Sequence, residues 1–152
     1  MVFPKFLADC MLGKLARWLR ILGYDTKYSR YLDDPKIVAL ARFEHRILLT
    51  RDKALAEGAS DVAYLISSSR VEEQVQEVIK AFHLPYPTPF PRCPHCNELL
   101  FDIYQEEAKR EVPLFVSLTF SQFKKCPQCH RIYWPGTHWQ RIIQTLSSSW
   151  PL

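Results

Sequence analysis

Apolar positions recurring every three or four residues predict a helix over residues 10–22. Met11, Leu15, Trp18 and Leu22 make one buried stripe there, flanked by Leu12, Ala16 and Leu19. Gly23 suits the residue just past the end of that helix. KFLA at 5–8 predicts a short strand before it, and DTKYS at 25–29 a second strand after it. Asp34-Pro35 opens another helix, with Asp34 as N-cap and Pro35 in the first helical position. RILLT at 46–50 and VAYLI at 62–66 are dense enough in apolar residues to be strands covered on both faces. Val71, Val75, Val78, Ile79 and Phe82 then supply the inner face of a further helix.

Strands alternating with helices predict an α/β fold with a mainly parallel sheet flanked by helices. The alternation stops at 83–92, HLPYPTPFPR, where four prolines in ten residues make a stiff, extended linker. The chain therefore divides into a sheet domain over 1–82, a linker over 83–92, and a small module over 93–152 that closes with a helix.

CPHC at 93–96 and CPQC at 126–129 dominate the second module. Each pair lets two thiolates reach one metal from a tight turn, and two pairs complete a tetrahedral shell. Cys93, Cys96, Cys126 and Cys129 thus predict a structural zinc ribbon, with PLFVSLTF in the long interval as the arms of a β-hairpin. A thioredoxin-like redox pair belongs near a βαβ unit, and disulfides are disfavoured in a cytosolic chain. Spacing alone also admits an iron–sulfur cluster. His95 and His130 read as polar knuckle residues and Cys10 as a packing residue. His138, between Trp134 and Trp139, either packs and caps the closing helix or contacts nucleic acid.

Composition adds less. At 47% hydrophobic and 24% charged, the chain reads as soluble and globular. It has no apolar run long enough for a membrane span and no signal-peptide pattern, so a cytoplasmic address is expected. The net charge of +4 is modest, but its distribution is informative. Residues 1–30 carry six basic residues against Asp9 and Asp25, a surplus equal to that of the whole chain. Lys14, Arg17 and Arg20 share the outer face of the first helix, which reads on charge alone as a solvated helix face or as a footprint for an anionic partner.

In a parallel sheet every strand-to-helix loop lies at one edge, where ligands bind. Asp9, Asp34 and Asp52 follow the first three strands and so meet at that edge. Hard cations such as magnesium or manganese bind through a few carboxylates plus substrate phosphate, and can drive phosphodiester hydrolysis. Each aspartate could instead cap its own helix, and Asp33 would substitute if Asp34 only caps. With four glycines in the chain and no Gly-rich phosphate loop, no small-molecule cofactor is expected.

DCMLGKLARWLRILGYDT (9–26), DPKIVALARFEHRILLTRD (34–52), the two CxxC pairs and YWPGTHW (133–139) resemble the PIN-like ribonuclease family named after the C-terminal domain of the Mut-seven exonuclease. The resemblance covers nearly the whole chain in order. It implies a PIN fold, an attached ribbon, and RNA hydrolysis dependent on magnesium or manganese. Asp9, Asp34 and Asp52 match the family's acidic positions, and Lys14 and Arg17 its basic helix positions; Asp61 and Glu72 are candidates for a fourth acid. The function expected is an endoribonuclease whose aspartates hold the ion while Lys14, Arg17 and Arg20 contact phosphates. Tyr133, Trp134 and Trp139 are available for base stacking. The alternatives are a non-catalytic RNA-binding or ribosome-associated adaptor and the toxin of a toxin–antitoxin pair.

Overall fold

The computed structural model describes residues 3–150. Strand β1 (Phe6–Ala8) leads into helix α1 (Gly13–Ile21), and β2 (Thr26–Tyr28) into α2 (Asp34–Phe43). Strand β3 (Ile47–Thr50) leads into α3 (Lys53–Gly58), and β4 (Ala63–Leu65) into α4 (Val71–Ala81). The four strands form one parallel sheet in the order β2-β1-β3-β4. The fold is thus mixed α/β, with helices on both faces.

Alternation along the strands decides which helix covers which face. Phe6, Ala8 and Leu49 turn toward α1 and α4, where Leu15, Leu19, Val75 and Val78 meet them. Leu7 and Leu48 turn the other way, onto Ile37 and Ala41 of α2 and Leu55 of α3. The stripe on α1 departs from the expected one at its start. Met11 is exposed because the helix begins only at Gly13; Leu15 and Leu22 are buried as expected, Trp18 packs against the core partly buried, and the flanking Leu12, Ala16 and Leu19 complete the buried face. Gly23 ends α1 with φ at 101°, donating to the Arg20 carbonyl while Tyr24 donates to that of Leu19. A side chain at Gly23 would also meet Pro91, with its Cβ 2.8 Å from the proline ring.

The second module holds β5 (Phe101–Ile103), β6 (Phe123–Lys125) and β7 (Ile132–Tyr133) in an antiparallel sheet of that order. Short helices α5 (Gln105–Ala108) and α6 (Leu114–Thr119) fill the interval between β5 and β6. PLFVSLTF is therefore helical and not a pair of hairpin arms. Its inward positions, Val116 and Phe120, stand one helical turn apart and pack on Phe123 and Ala108.

The closing helix α7 (Thr137–Leu146) does not stay with the ribbon. Trp139, Ile142, Leu146 and Trp150 are buried in the same core as α1 and α4. The linker is likewise packed down: Leu84 and Phe90 are buried in that core, and the Trp150 indole donates to the Leu84 carbonyl at 3.1 Å. The four-stranded sheet and its helices gain apolar cover this way, which a small core needs.

Candidate active site and metal centre

The sheet order puts β1 between β2 and β3, so the chain leaves β1 toward α1 on one face and β3 toward α3 on the other. Between two such strands the loops diverge and leave a crevice at the C-terminal edge. Asp9 lies immediately beyond β1 and Asp52 two residues beyond β3. Asp9 is buried, 8% exposed. Its Oδ1 accepts from the Met11 N–H at 3.1 Å, and its Oδ2 from the Thr50 hydroxyl at 2.5 Å. The same Thr50 oxygen accepts from the Asp52 N–H at 3.0 Å, so one buried hydroxyl ties the two acidic loops together. Asp9 joins no salt bridge among the described residues. Asp52 caps α3 through Oδ1, which accepts from the Leu55 N–H at 3.1 Å.

Asp33, not Asp34, is the N-cap of α2, accepting from the Lys36 N–H. Asp34 occupies the first helical position with Pro35 next, so its exposed carboxylate is released from capping. It borders a hollow of 470 Å³ between α2 and α3, shared with Val38, Arg42 and Leu55. Among the described residues, the four cysteines are the group of potential ligands whose donor atoms all lie within 4.8 Å of one another; the three aspartates are not such a group. Of the further acids, Asp61 precedes β4 and so lies at the opposite edge of the sheet, paired with Arg42 at 2.9 Å. Glu72 stands in the first turn of α4, at the same edge as Asp9.

The outer face of α1 borders a cleft of 720 Å³ between that helix and the ribbon. Lys14, Arg17, Arg20, Arg30, His95 and His138 line it, with no carboxylate among the lining residues. Lys14 and Arg17 are exposed there. Arg20 is more constrained than a free phosphate ligand. Its Nε donates to the Thr26 carbonyl at 2.8 Å and its Nη1 to the carbonyls of Pro94 and His95. It clamps the first knuckle to the sheet domain and forms the cleft's floor.

The two knuckles are built alike. The Cys96 N–H donates to Cys93 Sγ and the Cys129 N–H to Cys126 Sγ, each at 3.4 Å. The next residues, Asn97 and His130, turn the chain with φ of 67° and 64°. Four thiolates about 2.3 Å from a tetrahedral zinc stand about 3.8 Å apart; Cys93 Sγ and Cys129 Sγ are 3.7 Å apart. The donor set and spacing fit zinc with no open position, so an ion held there would be structural. Burial raises the Cys129 thiol, but hydrogen bonds from Arg131 outweigh it and bring the thiol down to about 6. The Tyr133 hydroxyl lies 3.2 Å from Cys93 Sγ, and burial together with that sulfur pushes the phenol far up.

Two features were not legible in the sequence. Thr50 is one, although its place at the strand end two residues before Asp52 was a usable signal. The other is the joint between the modules. Arg46 is buried and donates to Asp25 Oδ1 at 2.8 Å, and Asn97 Nδ2 donates to the same oxygen at 2.8 Å. Asn97 Oδ1 accepts from the Thr26 N–H at 3.0 Å. Among the aromatic candidates, Trp139 is buried against Phe90 and Tyr133 stacks on the same ring, at 5.4 Å each. Trp134 packs on Phe123 with one side and borders an open pocket with the other.

No helix among the described residues is long and apolar enough to cross a membrane. No curated protein matches the chain. The model of the Mut7-C RNAse domain matches residues 4–146, from just before β1 to the end of α7. That span takes in the acidic edge, the basic cleft and the four cysteines together, and on it the chain belongs to the Mut7-C RNAse domain family.

Proposed function

We propose that this protein is a PIN-type, metal-dependent endoribonuclease that hydrolyses RNA phosphodiester bonds at the crevice between β1 and β3. The observation that carries the proposal is Asp9, a buried carboxylate with two hydrogen-bond donors, no cationic partner among the described residues, and a hydroxyl link to the Asp52 loop. Burying a carboxylate without a counter-charge is costly, and a divalent cation at this edge would offset that cost. Each Asp9 oxygen keeps a lone pair beyond the bond it accepts, Asp34 is free of capping, and Asp52 caps through one oxygen only.

Asp9, Asp34 and Asp52 would hold magnesium or manganese. An ion of this class keeps several waters and takes one or two carboxylates directly, so it does not need all three in contact at once. The bound ion supplies the charge that activates water and stabilises the departing oxygen in phosphodiester hydrolysis. Thr50 fixes the Asp9 carboxylate, and the exposed Lys14 and Arg17 hold the phosphates of a strand laid along α1. Arg20, clamped at the cleft floor, adds its charge to the same strand.

The test is cleavage of end-labelled single-stranded RNA by the zinc-loaded protein, with manganese, with magnesium and without either, beside Asp52→Asn. Asparagine caps a helix as well as aspartate does, so α3 survives the substitution. Metal-dependent cutting that disappears in the variant is the expected result. RNA binding with no cutting under any condition refutes the proposal in favour of a non-catalytic adaptor.

A further inference from the structure

The basic cleft beside α1 does not end at the ribbon. It shares Arg17, Ile21, Pro94, His95 and His138 with a second hollow of 350 Å³, which adds Arg131 and Tyr133. That hollow in turn shares Tyr133 and His138 with a pocket of 340 Å³ inside the ribbon. The character changes along this path. The cleft is cationic, whereas the last pocket is walled by Phe115, Phe120, Ile132, Tyr133 and Trp134. Its polar contributions come from Thr137 and His138, the first two residues of α7. Gly136 precedes them and gives no side-chain cap, so the positive end of a ten-residue helix stands at the pocket mouth.

We propose that this ribbon pocket is a nucleobase subsite: it takes one unstacked base of a single-stranded RNA whose phosphates run along the cationic cleft. The proposal rests on the ribonuclease reading for the identity of the strand. An apolar, aromatic pocket with a few polar groups is the usual form of a small planar ligand's site, and single-stranded RNA is held by stacking its splayed bases on aromatic rings. Charge complementarity selects this occupant over an apolar protein segment, because the pocket adjoins, by way of the hollow at Tyr133 and His138, a cleft that carries four Lys or Arg side chains and no carboxylate. Phe115 is the ring best placed to close over a base, being 68% exposed on α6 while its neighbour Val116 is buried. Trp134 supplies a further aromatic wall and lies close against the Gly136 backbone, where a Cβ would stand 2.8 Å from its Nε1.

Binding of a short single-stranded RNA to the zinc-loaded Asp52→Asn chain is measured while each nucleotide in turn is made abasic. One position should lose about 5- to 150-fold in affinity, the range of one stacked base. In Asp52→Asn with Phe115→Ala the loss at that position should collapse. Phe115 is exposed, so its truncation leaves the fold intact. A flat scan overturns the proposal, as does a position-dependent loss that survives Phe115→Ala. A flat scan with a changed oligomeric state in Phe115→Ala reassigns the pocket to a contact between chains. None of these outcomes depends on cleavage, so failure of the subsite and failure of the nuclease reading are separately visible.

Discussion

Thr50→Val replaces one hydroxyl by a methyl of the same shape at the end of β3. Thr50 is fully buried, so the substitution opens no cavity and its effect comes from lost hydrogen bonds. The bond from Thr50 to the Asp9 carboxylate is charge-assisted, and such bonds contribute about 1.5–3 kcal/mol. The Asp52 N–H loses its acceptor as well, but it is only partly buried and water can replace the partner. A loss of about 2 kcal/mol follows, equivalent to a melting temperature lower by about 4–8 °C for a chain of this size. Function should suffer more than stability. Residues that orient a metal's ligands are worth about 10- to 100-fold in affinity or activity, so the manganese concentration giving half-maximal cleavage should rise by about that factor. Thr50→Ser keeps the hydroxyl and should keep the wild-type manganese requirement. Thermal melts without added manganese and a manganese titration of cleavage read the two effects. A valine variant within about 0.5 kcal/mol of wild type, with an unchanged manganese requirement, would refute the positioning role.

Two further outcomes concern the joint between the modules. Asn97→Gly preserves the left-handed turn but removes both bonds to the sheet domain, and should cost about 2–3 kcal/mol in urea unfolding of the zinc-loaded protein. Asn97→Ala adds the strain of a left-handed residue, about 1 kcal/mol more; equal stability of all three chains contradicts both statements. The second outcome is the pH dependence of the same joint. Burial pushes the Asp25 carboxyl up, but hydrogen bonds from Arg46 and Asn97 and the Arg46 charge outweigh it and hold the carboxyl below its ordinary 3.8. Stability from a depressed carboxylate is complete above its unfolded value and is lost as pH falls through the folded one. The advantage of wild type over Asp25→Asn should therefore be constant from neutral pH down to about 4 and shrink below it. Denaturant unfolding at a series of pH values that showed the advantage growing in acid would be the contrary result.

Local pattern determined much of this protein. The strand–helix alternation specified a parallel α/β sheet, because doubly covered strands and amphipathic helices each leave a period in the chain. The paired CxxC turns specified the cysteine cluster, since a knuckle is a local structure whose chemistry is written within four residues. The placement of Asp9 and Asp52 beyond the first and third strands followed from the same logic. What escaped were the decisions taken between distant segments. PLFVSLTF has the apolar content of a strand and became α6, because Val116 and Phe120 found Ala108 and Phe123 to pack against. Met11 fitted the helical stripe, yet α1 starts two residues after it. Asp33 and Asp34 compete for one cap, and the fold chose Asp33. The closing helix sits next to the ribbon in sequence but joins the core of the sheet domain, since that core offered the apolar surface its Trp139, Ile142 and Leu146 required. Arg20 has the spacing of a phosphate ligand, and only the docking of Pro94 and His95 against it turned the guanidinium into a clamp. Sequence period records what a segment buries; tertiary structure decides against what, and so which polar groups remain free for chemistry.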